Sequence, residues 1–414
     1  MIIIPIETVV RELPYKISLA SGLNGSLNEI VVIAPKRICF YLIKIFGNKA
    51  IYFDKGYHEG ESEKIYSLVK ARNGIIVSLD EEGAVDYPDW RTLRRRYSET
   101  LVKYADVVFF WGEKQKEFFQ KKLGSSKSKL VLSGHPRFFI DAEQNENHVS
   151  ESFLLINTNM SFGNNLLGED HIKQNYSGRI SNLDELIRFD NQKISLIIEF
   201  IQEFRSRSDL SIFLRPHPEE CETVYRLPIQ NYVVSKAGVV NDLITNAYKV
   251  IHTDCTTAVE AYLLGFRPVS LLPSGFENFK TVLPRNVSVC FSDFQEAVDN
   301  VLKDDDNTKT LNSDDLSEWL YNEENPIDVI IREIVDLRKR VPDRTKYIFK
   351  SIEFLMILSF IALVNLKALI FRAHLKSASI GRSKLEQFDS IYRKSTENKK
   401  YKRIHKFVNI IVFR

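Results

Sequence analysis

Short runs of β-branched and aromatic residues, separated by stretches of helical periodicity, constrain this chain more than any other feature. IIIPI, EIVVIAP, AIYFDKG, GIIVSLDEEG, DVVFFWGEK and KLVLSGHP occupy the first 140 residues. SFLLINTN, LSIFLRPHP, NYVVS, YKVIHTD, RPVSLLP and VSVCF repeat the pattern after residue 151, with helices expected near 183–206, 239–248, 256–265 and 293–303. An apolar strand without polar alternation is buried on both faces, as in a parallel sheet covered by helices. The two series are separated by DAEQNENHVSE (141–151), whose only apolar residues are Ala142 and Val149. The expectation is an α/β protein of two Rossmann-like domains, 1–140 and 152–341, joined by the linker 141–151. An acidic loop, KDDDNTKTLNSDD, closes the second series, and a helix beginning near Pro326 is expected to pack back across the domains.

Charge sets the remainder, 342–414, apart. The net charge is +3, yet from Ile331 onward there are 20 Lys/Arg against 7 Asp/Glu, and before it 37 against 47. A basic tail on an acidic body points to an anionic partner, and the expected one is a membrane surface contacted through 345–414, with no nucleic acid. The segment IFKSIEFLMILSFIALVNLKALIF (348–371) is apolar nearly all round, but its longest uncharged stretch, Phe354–Leu366, is shorter than the roughly 20 residues that a spanning helix needs. Lying on the membrane, spanning it and packing against protein all stay open for this segment. Cys39, Cys221, Cys255 and Cys290 are dispersed and form no C-x-x-C pair, so neither a zinc knuckle nor a disulfide framework is expected. That cysteine pattern favours a reducing cytoplasm, and the N-terminus, which lacks the long hydrophobic core of a signal peptide, argues against secretion.

Four stretches carry chemistry. HTDCTTAVEAYLLGFRP (252–268) brings Asp254, Thr256 and Thr257 to a helix start with Glu260 one turn in, and Gly265 and Pro268 to stop it. Backbone N–H groups and threonine hydroxyls at such a point suit a phosphate; capping by Asp254 or Thr256, with Glu260 an ordinary helix residue, is the competing explanation. LSIFLRPHPEE (210–220) ends a strand with Arg215 and His217 held extended by prolines, where open α/β sheets bind ligands. SLDEEG brings Asp80, Glu81 and Glu82 together; if the cluster is enclosed, mutual repulsion would raise the pKa of at least one, suiting it to carry protons. Arg91, Arg94, Arg95 and Arg96 follow, to neutralise the acids or to make a solvated face. LLINTNMSFGNN ends a strand in Asn157 and Asn159, which either contact a ligand or cap a turn, and His135 in SGHPRFF has a structural role. No P-loop, G-x-G-x-x-G or G-x-S-x-G is present.

With IPIETVVREL, SLDEEG, LLINTN, LRPHPEE and HTDCTTAVEAYLLGFRP in hand, the chain resembles GT-B glycosyltransferases of bacterial surface-carbohydrate biosynthesis, akin to Kdo transferases of capsule and O-antigen. The resemblance spans residues 4–268. It implies two Rossmann-like domains facing a cleft, with the C-terminal helical basic tail outside the match. It implies an acidic sugar, Kdo or a related ulosonic acid, transferred from a CMP-activated donor to a surface glycan or lipid-linked acceptor, without metal or other cofactor. Carried over by position, Arg215 and His217 face the phosphate and the sugar carboxylate, Thr256 and Thr257 the phosphate, and Glu260 the ribose, with Asp254, Asn157 and Asn159 beside them. Asp80, Glu81 and Glu82 serve the acceptor hydroxyl. One departure is visible: some such transferases use an aspartate nucleophile where this chain offers Asn157 and Asn159, which leaves the stereochemistry open. The enzyme is expected at the inner face of a bacterial plasma membrane. The alternatives are a CDP-glycerol-type polyol-phosphate transferase on the same fold and a non-catalytic nucleotide-binding scaffold of a polysaccharide assembly complex.

Overall fold

The computed structural model describes residues 1–83, 86–124, 127–139, 153–178, 180–238, 240–303, 316, 318–341, 352, 354–363, 382–396, 404–407 and 410–414. The expected linker 141–151 and much of 348–371 lie outside these residues. Contacts divide the chain into two units: Met1–Gly83 with Leu93–Phe139 and Ser317–Arg414, and Ala84–Thr92 with Ile140–Leu316.

The first unit is built on β1 (Ile2–Ile6), β2 (Val31–Pro35), β3 (Ile51–Asp54), β4 (Ile75–Leu79), β5 (Val107–Phe110) and β6 (Lys129–Leu132). They run parallel in the order β2-β1-β3-β4-β5-β6. β1, β3, β4 and β5 are buried at every position, which accounts for their largely apolar sequence, with Asp54 and Ser78 the polar positions among them. The strand order reverses between β1 and β3, and the carboxyl ends there are where such sheets place their polar residues. Helix α1 (Val9–Leu27) leads from β1 to β2, and α2 (Lys36–Phe46) follows β2 and buries Cys39, Leu42 and Ile43.

The second unit carries β7 (Phe153–Asn157), β8 (Ser211–Arg215), β9 (Tyr232–Val234), β10 (Ala247–His252), β11 (Val269–Leu271) and β12 (Val289–Phe291), all parallel, in the order β12-β11-β10-β7-β8-β9. The long helix Leu183–Arg207 and the helix Phe294–Leu302 pack on one face through Phe200, Ile201, Phe204, Ala297 and Val298. Ile244, Ala261 and Leu264 cover Leu155 and Val250 on the other. All twelve strands expected from the sequence are present.

Beyond Leu316 the structure departs from the expected boundaries. The sequence reading ends the second domain at 341, whereas contacts assign the residues after Leu316 to the first unit. The cause is close backbone packing. A Cβ on Gly112 would come within 2.3 Å of the Trp319 carbonyl, and one on Gly134, whose φ is +71°, within 2.1 Å of the Tyr321 carbonyl oxygen. Only glycine tolerates that approach and that backbone conformation. The helix Pro326–Arg340 then packs on α1, with Ile331 against Gly22 and Arg338 bonded to Glu29 at 2.7 Å.

The described residues after 381 pack against α1 and β2. They contain the helix Arg382–Thr396, packed on α1, and a hairpin of β13 (Ile404–Phe407) and β14 (Ile410–Phe413). β14 pairs antiparallel with β2 and is buried throughout, so the sheet has eight strands, β13 at its edge. A four-residue apolar run fits a lipid surface or an inner strand equally by composition; here the hydrogen-bonding groups of β2 claim it.

Candidate functional site

In the second unit the polar residues gather where β7, β8 and β10 end. Asn157 is in register with Arg215 on one side and His252 on the other. Register partners project to the same face, and since Leu155, Phe213 and Val250 pack against Ala261 and Leu264, this row continues the face covered by the helix Thr257–Leu263. Asn157 is 1% exposed, and neither its Oδ1 nor its Nδ2 meets a hydrogen-bond partner among the described residues. Burial pushes the Cys255 thiol up, and that thiol feels the Glu260 carboxylate and the Arg215 guanidinium together. Glu260, 2% exposed, is therefore on the inner side of its helix.

His217 sits in the loop after β8. Its Nδ1 accepts the N–H of Glu219 at 3.3 Å, which leaves the ring proton on Nε2. Burial lowers the pKa of His252 to about 3; its Nδ1 accepts the Cys255 N–H, and its Nε2 lies 2.8 Å from Ser288 Oγ.

The helix start is less generous than its sequence suggests. Ala258 N–H bonds the Cys255 carbonyl and Val259 N–H that of Thr256, so these donors are consumed within the turn. Thr256 occupies the N-cap with helical dihedrals and makes no capping bond through its side chain, and Thr257 is buried. Asp254, grouped above with the donor contacts, turns elsewhere. At φ 68° it directs its carboxylate at Thr281, accepting from N at 2.9 Å and Oγ1 at 2.5 Å. Burial raises its pKa; nearby Lys193 and the Thr281 bonds oppose the rise. Asn159 is likewise engaged, donating from Nδ2 to the Asp254 carbonyl at 2.9 Å.

Two positioning residues escape a reading of sequence. Glu220, wholly buried, accepts from Thr158 Oγ1 at 2.8 Å, Met160 N at 2.7 Å, Tyr225 Oη at 2.5 Å and His217 N at 3.3 Å, which ties the loop after β8 to the loop after β7. Lys193, buried within the helix Leu183–Arg207, donates to the Asn159 carbonyl at 2.6 Å and pairs with Asp190 at 2.8 Å. The EE doublet after the second proline was the one available hint of Glu220; a lysine in mid-helix offers none.

In the first unit the acids of SLDEEG follow β4, but each meets a cation. Glu81 is buried, 2.9 Å from Lys16 Nζ and 3.4 Å from His135 Nε2, and accepts the Tyr15 hydroxyl. Burial opposes its charge, yet Lys16 and these hydrogen bonds outweigh it and hold Glu81 well below the usual carboxylate range. Lys16 also bonds Glu12 at 2.6 Å and the Pro5 carbonyl, while Glu12 accepts the N–H groups of Thr8 and Glu7 that open α1 and pairs with Lys55 at 2.8 Å. Asp80 and Glu82 share Arg96, at 2.8 and 2.5 Å. Burial would lift Glu82, but Arg96 prevails and its pKa falls. Neither Glu81 nor Glu82 therefore carries the raised pKa expected of at least one acid in the triplet: Lys16 and Arg96 offset the repulsion it required. Glu82, with its side chain 44% exposed, is the acid of the three that solvent reaches. His135 keeps its structural role: wholly buried and neutral by burial, it lies against Trp111, ring centroids 4.5 Å apart. Of the arginines, Arg96 neutralises the acids, while Arg91 lies over the Tyr87 ring at 3.8 Å.

Among the described residues, no group of three or more His, Cys, Asp or Glu is arranged to hold a metal ion, and all four cysteines are free.

No protein-family model matches the sequence, and no curated protein matches it either. Solved structures do match in shape. UDP-GlcNAc 2-epimerase from Methanocaldococcus jannaschii is 13% identical with a TM-score of 0.50, over 81% of this chain and 99% of that one. UDP-GlcNAc 2-epimerase from Neisseria meningitidis bound to UDP-GlcNAc is 12% identical with a TM-score of 0.45, over 82% and 99%. TarM is 12% identical with a TM-score of 0.38, over 72% and 53%. At such identity the likeness is one of fold. The class it defines is an α/β protein of two Rossmann-like domains of the GT-B type.

Proposed function

We propose that this chain is a glycosyltransferase that takes Kdo or a related ulosonic acid from a CMP-activated donor and places it on a bacterial surface polysaccharide or its lipid-linked precursor. Asn157 carries the donor half of this reading. An unpaired buried polar group costs about 1–3 kcal/mol, and a ligand that bonds both amide atoms offsets that cost. The amide stands in register with Arg215 at the carboxyl edge of a parallel sheet, the usual ligand edge of such sheets. Arg215 and the Nε2–H of His217 suit a donor that carries both a phosphate and a carboxylate, and Glu260 suits ribose hydroxyls. Of the three acids after β4, Glu82 is the one that solvent reaches, and this reading assigns it the proton of the acceptor hydroxyl. The acceptor oxygen bonds to the anomeric carbon, the bond from that carbon to the phosphate oxygen breaks, and its electron pair leaves with CMP. Lys16 and Arg96 fix Glu81 and Asp80 as supports. The acceptor is held at the inner face of the plasma membrane, where the chain is a peripheral protein.

Overlap with 99% of the Methanocaldococcus epimerase favours one second reading, a sugar-nucleotide epimerase that needs no acceptor. The test incubates the full chain separately with CMP-Kdo, CDP-glycerol and UDP-GlcNAc, with and without a lipid-linked glycan. Acceptor-dependent release of CMP from CMP-Kdo is expected. Epimerisation of UDP-GlcNAc, or transfer from CDP-glycerol, would replace the proposal. If Glu82→Ala and His217→Ala leave glycan synthesis intact in cells, the chain is a scaffold.

A further inference from the structure

The turn that presents Glu82 is held from behind by side chains that the proposed reaction does not use. Trp111, 1% exposed, donates from Nε1 to the Asp80 carbonyl at 2.7 Å. Gln115, 1% exposed in the first turn of the helix Glu113–Leu123, donates from Nε2 to the Gly83 carbonyl at 2.5 Å, and its Oε1 accepts the Trp111 N–H at 3.3 Å. The two grips are therefore linked, and they take the turn at its first and last residues. Between them the Glu81 N–H bonds the Lys55 carbonyl at 3.1 Å and the Glu82 N–H bonds Asp80 Oδ1 at 2.7 Å. Gly83 lies against the indole: a Cβ there would come within 2.8 Å of Trp111 Nε1. Only glycine permits that approach.

We infer that Trp111 and Gln115, with Gly83 fitted against the indole, are positioning residues that hold the Glu82 carboxylate for proton transfer. The inference deepens the proposed function and rests on its assignment of the acceptor proton to Glu82. A group that takes a proton must stay within hydrogen-bond reach of the atom that gives it, and a misplacement of about 1 Å can cost on the order of a hundredfold in rate. Glutamate is a long, rotatable side chain, and solvent reaches this one, so its placement depends on a fixed backbone and on Arg96 at 2.5 Å. Trp111 and Gln115 supply the fixed backbone. The indole is itself fixed, with ring centroids 4.5 Å from His135 and 5.0 Å from Phe138. Arg96 spans Asp80 and Glu82 together, at 2.8 and 2.5 Å, which requires the turn to keep its shape. Both clamping side chains are buried, and they act on the reaction through Glu82.

Gln115→Met keeps the length of the side chain and removes both of its hydrogen bonds. With the full chain, CMP-Kdo and a lipid-linked glycan, kcat for CMP release is expected to fall about tenfold or more, while the donor KM stays within about twofold of wild type. Arg96 lowers the pKa of Glu82, so loosening that pair is expected to move the acid limb of the pH profile to higher pH, a change that lost stability alone does not produce. A second measurement needs no turnover. In chain labelled with carbon-13 at the glutamate δ-carboxyl, with Glu82→Gln assigning the resonance, Glu82 is expected to stay ionised between about pH 7 and pH 5 in wild type and to begin protonating there in Gln115→Met. Trp111→Phe removes the indole N–H, is expected to act in the same direction, and serves if Gln115→Met misfolds. A wild-type chain that releases no CMP, while its Glu82 resonance responds to the clamp, loses the transferase reading and keeps the positioning. Folded variants with the kcat and pH profile of wild type, or a Glu82 resonance that titrates alike in wild type and variants, would overturn the inference.

Discussion

The ammonium of Lys16 lies 2.9 Å from Glu81 Oε1 and 2.6 Å from Glu12 Oε2, with all three side chains buried. Lys16 comes from α1 and Glu81 from the end of β4, so one cation closes the carboxyl edge of the first sheet. Lys16→Met keeps the length of the side chain and removes the charge, leaving two carboxylates enclosed beside each other. A loss of about 3–5 kcal/mol is expected, because an uncompensated buried charge costs more than the pair contributes. Urea unfolding checks it: the midpoint should fall with an unchanged slope, and Glu81→Gln in the same chain should recover part of the loss.

Acid should weaken the protein through its histidines before its carboxylates protonate. Burial lowers the pKa of His252 to about 3 and that of His135 below its ordinary value. Below pH 6.5 the unfolded chain takes up protons that the folded chain refuses, so stability rises with pH in that window and falls as pH drops. Each histidine contributes up to about 1.4 kcal/mol per pH unit until its folded pKa is reached. Urea midpoints between pH 7 and pH 4.5 should slope accordingly, and His252→Asn should flatten the slope. An unchanged slope in that variant would contradict the assignment.

Glu220→Gln replaces an acceptor of four hydrogen bonds by a side chain with one acceptor oxygen and a donor amide directed at other donors. Destabilisation of about 2–3 kcal/mol is expected. Since Glu220 joins the His217 loop to residues 158–160, nucleotide affinity should fall as well. Calorimetric titration with CMP and CDP compounds, performed well below the melting temperature of the variant, separates the two effects.

Asn157→Leu should do the opposite to stability. It replaces two unpartnered buried polar atoms by apolar ones of similar volume, so unfolding should be unchanged or harder by about 1–2 kcal/mol. Donor binding should fall by more than tenfold. A variant that binds its donor as wild type does would remove Asn157 from the site.

Much of the site was legible in sequence because its residues follow strands whose apolar runs announce them. Arg215 and Asn157 end such strands, Glu260 lies one turn into a helix that Gly265 terminates at φ 90°, and all were named from position. The bonds from Thr281 to Asp254 were not legible, because the two residues are 27 positions apart. The lowered pKa of Glu81 and of Glu82 was not legible for a related reason: the cations that cause it come from α1 and from Arg96, and neither is implied by an acidic triplet.

By itself, the sequence determined the two parallel sheets and the order of their strands along the chain. A strand buried on both faces is apolar along most of its length, and the turns between strands carry their own glycines and prolines. Tertiary structure decided which charges meet and where the last residues go. IIVF pairs with β2 across nearly the whole length of the chain, and Lys16 reaches Glu81 across 65 positions. Contacts at that separation leave no trace in local periodicity, because their energy arises from hydrogen-bonding edges and buried charges that exist only once both partners have folded.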